Sequence, residues 1–198
     1  MEIVVATKNQ KKLEEIRHIL KGHPVKIISL EEYSRTPRII ENGKTFKDNA
    51  VKKAVTIARF TGKMALGEDS GLCVDALGGK PGVYSSRFAG KNKSDTQNNT
   101  KLLKLLEGVP SKKRKAHYTA AVAIADKTGL VGVVEGSCYG VIGVKPQGHF
   151  GFGYDPLFVI PRYKKTFGEL GARIKHSMSH RYRALVKARK LLVLTKNI

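Results

Sequence analysis

The first thirty residues follow an order that limits the fold more than any other feature of the sequence. An apolar run at residues 2–6 stops at Thr7-Lys8-Asn9, and a second apolar run covers residues 25–30. Between them, apolar residues recur at helical spacing, namely Leu13, Ile16, Ile19 and Leu20. A strand, a loop, a helix and a second strand in succession form the unit from which α/β sheets are built. The opening therefore predicts an α/β fold.

Two capping signatures predict further helices. Thr45 is followed three residues later by Asp48, and Ser94 is followed by Gln97, as in a capping box. Helical patterns follow each pair, and a last helix is expected to begin near Ser179. Helices therefore occur throughout the chain and are not collected in one part of it.

Strand patterns alternate with these helices. They occupy residues 64–66, 117–125, 130–134 and 140–144. The first of them leads into Gly67-Glu68-Asp69-Ser70-Gly71, which has the composition of a polar turn. No internal repeat and no linker rich in Gly or Pro divides the 198 residues. We therefore expect a single domain spanning residues 1–198 with a mixed sheet.

The charge of the chain favours a polyanionic partner. The sequence has 37 Lys and Arg against 16 Asp and Glu, a formal net charge of +21. Such a balance suits nucleic acid or phosphorylated small molecules, although lysine-rich surfaces also occur for solubility. A nucleic-acid-binding module would need basic residues interleaved with exposed aromatics, or a known binding motif. Neither is recognised in the sequence, so no stable nucleic-acid partner is expected.

Cysteine content and apolar runs bear on location. Cys73 and Cys138 are the only cysteines and lie in apolar, strand-like contexts, which indicates buried thiols in a reducing compartment. The first ten residues lack the pattern of a secretory signal, and no apolar run reaches the length of a membrane span. We therefore expect a cytoplasmic protein with no membrane partner.

Two polar clusters follow predicted strands. Thr7-Lys8-Asn9-Gln10-Lys11-Lys12 precedes the first helix, and a helix N-terminus rich in donors suits phosphate, although the cluster also fits an ordinary solvated cap. Glu68-Asp69 follows the apolar residues 64–66, where adjacent carboxylates suit a cation such as Mg²⁺ or form only an acidic turn. Glu41, in a polar stretch before the second helix, could supply a further oxygen.

A third cluster has side chains suited to a nucleobase. Phe152-Gly153-Tyr154-Asp155 offers stacking surface and an acceptor, while Lys175, His180 and Arg181 offer donors. Taken singly, each also has a structural interpretation, as core aromatics or as a first helical turn.

Taken together, the clusters resemble the inosine triphosphate pyrophosphatase family, also called XTP/dITP diphosphatases. The resemblance runs almost end to end through ATKNQKKLEEI, ENGKTFKDNAVKKA, GEDSGLCVDALGGKPGVYSSRFAG, HYTAAVAIAD, VEGSCYGVIG, FGYDPLFV and KHSMSHRYRAL. Glu68 stands where many members have Asp, and His176 where Asn is usual. Several ordered motifs at compatible spacing are far more specific than any one of them.

This resemblance implies a fold, an activity and a set of roles. It implies an elongated central mixed β-sheet with helices forming two lobes around a nucleotide-binding cleft, and a homodimer. The implied activity is Mg²⁺-dependent hydrolysis of ITP, dITP and XTP to the monophosphate and pyrophosphate, with a related activity on dUTP or a modified pyrimidine as the alternative. Asp69 would be the general base, and Glu41, Asp69 and Glu68 the metal ligands. The implied substrate-binding residues are Thr7, Lys8, Asn9, Gln10, Lys11, Lys12, Ser70, Phe152, Gly153, Tyr154, Asp155, Lys175, His180 and Arg181.

Overall fold

The computed structural model describes residues 1–91 and 94–194 and contains one seven-stranded sheet. The strands, in chain order, are β1 (Glu2–Val5), β2 (Lys26–Ser29), β3 (Ala65–Val74), β4 (Lys115–Asp126), β5 (Gly129–Ile142), β6 (Phe158–Ile160) and β7 (Lys165–Thr166). Their spatial order is β2-β1-β3-β4-β5-β6-β7. β1 is parallel to β2 and β3, whereas β6 is antiparallel to β5 and β7. The expected mixed α/β sheet is confirmed.

Five α-helices accompany the sheet in the described residues. They are α1 (Gln10–Leu20), α2 (Phe46–Thr61), α3 (Asp95–Leu105), α4 (Phe167–Met178) and α5 (His180–Leu194). The capping boxes predicted at Thr45 and Ser94 are both formed, each with reciprocal side-chain and backbone bonds. None of the described helices is long and apolar enough to cross a membrane.

Two expectations about strands were wrong, and one helix was missed. β3 does not stop at Leu66, where the predicted strand ended, but continues through residues 67–71 and ends at Val74. β5 is one strand of 14 residues where two shorter strands were predicted. The helix α4, which precedes the last helix, was not predicted at all. Its pattern is interrupted by Gly171, whose φ of 75° breaks the helical geometry.

The chain divides into two compact units, each with its own core. The first unit contains residues 1–69, 120–136 and the described residues from 180 onward, and the second contains residues 70–119 and 137–179. The core of the first unit is built from β1, α1, β3, β4 and α5 and includes Ile3, Leu13 and Leu185. The core of the second unit includes Leu72, Leu102 and Phe158.

Candidate active site

The parallel pairing of β1 with β3 places two predicted clusters side by side in the first unit. Val5 is in register with Leu66, and the backbone N–H of Ala6 donates to the carbonyl of Leu66 at 2.8 Å. Because both strands run in the same direction, the residues after Val5 lie beside those after Leu66. The polar junction that starts at Thr7 therefore adjoins Glu68.

The junction is organised as a helix N-terminus. Asn9 is the N-cap of α1, and its side-chain oxygen accepts from the N–H of Lys12 at 3.1 Å. Thr7 Oγ1 accepts from the N–H of Asn9 at 3.1 Å, and the Gln10 side chain bonds Glu31. Lys8 and Lys11 are exposed. The junction therefore presents two exposed ammonium groups beside the positive end of a helix.

A close approach of α2 to β3 supplies the next part of the site. A Cβ on Gly67 would lie 2.1 Å from the carbonyl oxygen of Ala50 and 2.6 Å from the nitrogen of Ala54. Only glycine permits this contact. It brings two polar side chains of α2, Asn49 and Lys53, against the strand that carries Glu68 and Asp69.

Because β3 is a strand at this point, Glu68 and Asp69 project to opposite faces of the sheet. Glu68 meets Lys12 of α1 and Arg181 of α5. Asp69 meets Asn49 and Lys53 of α2. The two carboxylates, adjacent in sequence, therefore have different partners and are suited to different tasks.

Asp69 is a buried carboxylate with two donors. Asn49 Nδ2 donates to its Oδ2 at 3.0 Å, and Lys53 Nζ donates to its Oδ1 at 3.2 Å. Burial raises the pKa of Asp69, while the charges of Lys53 and Lys12 and the bond from Asn49 act in the opposite direction. A buried carboxylate with a raised pKa has the character of a proton acceptor.

Lys53 joins Asp69 to Glu41. Its Nζ lies 2.7 Å from Glu41 Oε2 and also donates to the backbone carbonyl of Glu68 at 3.1 Å. Burial by itself would lower the pKa of Lys53, but Asp69 and Glu41 outweigh it and raise the pKa above its ordinary value. Lys53 therefore stays charged and is shared by two carboxylates.

Sequence reasoning missed Lys53 and Asn49, although a signal was present. Both lie on the face of α2 marked by Ala50 and Ala54, and a lysine on an apolar helical face must find a buried partner. Its partner Asp69 is sixteen residues away in another element. The pattern therefore indicates that Lys53 is a buried lysine in need of a partner, but it does not show which residue that partner is.

Glu68 belongs to a second, largely buried network. One of its oxygens lies 2.8 Å from Lys12 Nζ and the other 3.0 Å from Arg181 Nη2. Arg181, 1% exposed, also pairs through Nη1 with Glu15 of α1. Burial alone would lower the pKa of Arg181, but Glu68 and Glu15 raise it well above the usual range. His180, also buried, precedes Arg181 at the start of α5.

The donor set of Glu41 and Asp69 fits a magnesium ion held by two carboxylates. Glu41 and Asp69 already share one cationic partner, the ammonium of Lys53, so their oxygens converge on a single positive charge. Mg²⁺ is commonly bound by one or two carboxylates, with water and substrate phosphates completing its shell. Among residues 1–91 and 94–194, no cluster of three or more acidic, His or Cys side chains is close enough to hold a metal. Glu68, the third predicted ligand, is paired with Lys12 and Arg181, and its part in metal binding stays a prediction.

The third predicted cluster lies in the second unit. Lys175 Nζ lies 2.6 Å from Asp155 Oδ2 and 4.4 Å from the centre of the Phe152 ring. Tyr154 is buried, and its hydroxyl donates to the carbonyl of Ser85 at 2.8 Å. The cluster thus combines an aromatic ring, a buried cation and a carboxylate, which are the groups expected for a nucleobase.

The remaining predicted residues are placed as follows. Ser70 is a half-buried residue of β3 and is the first residue of the second unit. Gly153 lies in the loop before β6. Among the predicted site residues, the first unit collects Lys12, Glu41, Glu68, Asp69 and Arg181, and the second unit collects Phe152, Asp155 and Lys175.

Comparison with known proteins gives one consistent family. The family model described as the Ham1 family matches residues 3–191. The chain is 51% identical to a protein from Desulforamulus reducens named dITP/XTP pyrophosphatase, over 97% of this chain and 96% of that one. A Bacillus subtilis protein of the same name is 41% identical over 96% of each chain.

Solved structures agree with the sequence matches. A HAM1 protein from Coxiella burnetii superposes with a TM-score of 0.87 at 39% identity over 99% of each chain. A Mycobacterium abscessus protein described as a nucleoside-triphosphatase and dITP/XTP pyrophosphatase gives a TM-score of 0.76 at 38% identity. That match covers 95% of this chain and 97% of the other.

Proposed function

The chain belongs to the Ham1 family, and from that premise we propose that it hydrolyses the non-standard purine nucleotides ITP, dITP and XTP to the monophosphate and pyrophosphate. The observation that carries the proposal is the pair Glu41 and Asp69, two carboxylates that converge on the single ammonium group of Lys53. Relatives named dITP/XTP pyrophosphatase at 41–51% identity support the substrate class. Such an enzyme removes these nucleotides before they are incorporated into DNA and RNA.

Asp69 acts as the general base. Release of pyrophosphate requires water to attack the α-phosphorus, and the water proton moves to a carboxylate oxygen of Asp69. Asn49 and Lys53 fix the orientation of that carboxylate. Held by Glu41 and Asp69, Mg²⁺ would neutralise charge on the departing pyrophosphate and lower the pKa of the attacking water.

The junction Thr7-Lys8-Asn9-Gln10-Lys11-Lys12 binds the phosphates. The N-terminus of α1 carries partial positive charge, and the side chains of Lys8 and Lys11 are exposed to solvent beside it. Lys12 is held by Glu68, so its ammonium has a fixed position. The paired ammonium of Lys12 and the exposed ones of Lys8 and Lys11 together offset the charge that spreads over the phosphate oxygens during transfer.

The cluster of the second unit binds the purine. Phe152 supplies stacking surface, while Lys175 and Asp155 supply a donor and an acceptor. Hypoxanthine and xanthine carry an acceptor at the 6-position, whereas adenine carries a donor. A buried polar group left unpaired by the wrong base can give discrimination of about 10⁴-fold. Lys175, together with Ser70, His180 and Arg181, belongs to the substrate site that we propose.

We further propose a cytoplasmic homodimer. Both cysteines are free, and burial raises the pKa of the Cys73 thiol, which suits a reducing compartment. Light scattering on the purified protein measures the assembly directly, and a monomeric mass would contradict the dimer.

A substrate panel tests the proposed reaction. ITP, XTP, dITP, dUTP, ATP and GTP are incubated with the protein and Mg²⁺, and the products are identified. We expect IMP and pyrophosphate in equal amounts from ITP, with no IDP. Formation of IDP and orthophosphate would refute the proposed reaction, and preference for dUTP would refute the proposed substrate class.

A further inference from the structure

Two side chains near the start of α3 bind the backbone of Gly153, which lies in the same loop as Phe152 and Asp155 of the proposed purine site. Asp95 Oδ2 accepts from the backbone N–H of Gly153 at 2.7 Å. Asn99, one turn further along the helix, donates from Nδ2 to the carbonyl of Gly153 at 3.1 Å. Two side chains spaced i, i+4 on one helix therefore bind both backbone polar groups of the same residue.

Gly153 is one of the glycines of this loop that adopt a left-handed backbone conformation. It has a φ of +64°, in the left-handed region, and lies between Phe152 and Tyr154. The loop has no regular secondary structure of its own. The position of the Phe152 ring and of the Asp155 carboxylate therefore depends on how the backbone at Gly153 is held.

The loop's internal contacts transmit that position to the purine cluster. Asp155 Oδ2 accepts from the N–H of Phe152 at 2.9 Å and also binds Lys175 Nζ. The ammonium of Lys175 in turn lies over the Phe152 ring. A displacement of Gly153 would move Phe152 and Asp155 together and would alter both partners of Lys175.

The helix that holds Gly153 is itself firmly anchored. Asn98 accepts from the N–H of Ala89 at 2.7 Å and donates to the carbonyl of Ser86 at 3.4 Å. Leu102, on the same helix, is fully buried in the core of the second unit. α3 can therefore act as a rigid support. Asn99 is one of the buried residues of this helix.

We infer that Asp95 and Asn99 are positioning residues of the purine site, which hold Gly153 so that Phe152, Asp155 and Lys175 keep the spacing that recognises the base. The inference rests on the proposed function. The two residues act on the affinity for the base, through the loop, and have no part in binding the phosphates. Their loss should therefore raise KM much more than it lowers kcat.

Two inhibitors distinguish binding of the base from binding of the phosphates. Inosine carries the base without phosphates, and tripolyphosphate carries the phosphates without a base. In Asp95→Ala we expect the inhibition constant of inosine to rise about tenfold, the loss of a charge-assisted hydrogen bond in a partly exposed position. The constant for tripolyphosphate should stay within about twofold. Asp95→Asn keeps an acceptor oxygen and should recover part of the loss.

Matched controls exclude a general effect on the helix. Thr96 is an exposed neighbour in the same turn of α3, so Thr96→Ala should leave both inhibition constants unchanged. Asn99→Ala should repeat the Asp95→Ala pattern. If Asn99→Ala does not fold, Asp95→Ala and Asp95→Asn decide the matter alone, because Asp95 is exposed. Equal weakening of inosine and tripolyphosphate, or no change in either, would overturn the inference.

Hydrogen exchange separates this inference from the proposed function. In Asp95→Ala we expect faster exchange of the Gly153 amide, with exchange in the later turns of α3 unchanged. Unchanged exchange of the Gly153 amide would show that the side chain of Asp95 does not hold this residue in place. If the protein hydrolyses dUTP instead of ITP, the proposed function fails, and deoxyuridine then replaces inosine as the probe. A selective loss of deoxyuridine binding would still support the positioning role.

Discussion

Arg181 Nη2 lies 3.0 Å from Glu68 Oε1, and Lys12 Nζ lies 2.8 Å from the other oxygen of the same carboxylate. Glu68 is thus held between a cation of α5 and a cation of α1, with no exposed side-chain surface. Whether Glu68 also binds the metal, as the resemblance implies, stays a prediction. Glu68 also gives the ammonium of Lys12 a fixed partner at the start of α1.

Replacing Arg181 should destabilise the protein strongly. Arg181→Ala removes the partner of two buried carboxylates, Glu15 and Glu68, and we expect the free energy of unfolding to fall by about 3–5 kcal/mol. Denaturant unfolding measures it. A loss below about 1 kcal/mol would mean that the network contributes little.

Whether Arg181 also reads the purine stays a prediction. If its guanidinium donates to the 6-oxo group, the ratio of kcat/KM for ITP to that for ATP should collapse toward unity in the folded Arg181→Ala variant. A fall by one common factor for both nucleotides would instead show that Arg181 acts only through its carboxylate partners.

Replacing each of the two carboxylates beside Lys53 should have a different effect on the kinetics. Asp69→Asn keeps the shape but removes the basicity, so we expect kcat to fall by about 10²-fold or more. Glu41→Gln should mainly raise the Mg²⁺ concentration required for half-maximal activity. Steady-state rates over a Mg²⁺ titration test both, and near-normal turnover by Asp69→Asn would remove its assignment as the base.

Local signals in the sequence predict elements such as the capped helices. Features that depend on tertiary packing, such as the full length of β3, could not be predicted from them. The capping boxes at Thr45 and Ser94 involve residues three apart, so the sequence contains all the information they need. The continuation of β3 through Gly67 could not be predicted in this way. Glycines and paired acids are typical of a turn, and only the packing of α2 on Gly67 shows why glycine occurs within a strand.

The sequence suggested residue types for the candidate site but not how their side chains pair in the structure. Asp69 and Glu41 were named together, yet the lysine that joins them was not, because Lys53 and Asp69 belong to different elements. Likewise, adjacent residues of a strand face opposite ways, so Glu68 and Asp69 could be separated only once residues 67–71 were known to be a strand.

The pH dependence of stability should include a contribution from Glu2. Hydrogen bonds from Lys63 and Lys26 lower the pKa of Glu2 from 4.5 to about 2 in the folded protein. A lowered pKa stabilises the fold at pH values above the unfolded pKa, and the benefit disappears as the pH falls through the folded pKa. The stability difference between the native protein and Glu2→Gln should therefore be present at pH 6 and shrink between pH 4.5 and 2.

Salt provides the control for Glu2. The lysine partners of Glu2 are exposed, so the stability difference between the native protein and Glu2→Gln at pH 6 should be small. It should decrease further as the ionic strength rises. Thermal unfolding at pH 6 and pH 3, at low and high salt, measures both dependences. A difference that stays the same at the two pH values would contradict the role of these ion pairs.

Lys53 links the stability of the site to metal binding. Its ammonium neutralises Glu41 and Asp69, so Lys53→Met leaves two converging carboxylates with less compensation and should lower stability by about 2–3 kcal/mol without Mg²⁺. Added Mg²⁺ replaces part of the missing positive charge, so it should raise the Tm of Lys53→Met more than that of the native protein. Lys52→Met is the matched control, because Lys52 is an exposed lysine of the same helix, bonded to Asn42. That variant should respond to Mg²⁺ as the native protein does. If Mg²⁺ raised the Tm of all three proteins equally, the carboxylates beside Lys53 would not be where the ion binds.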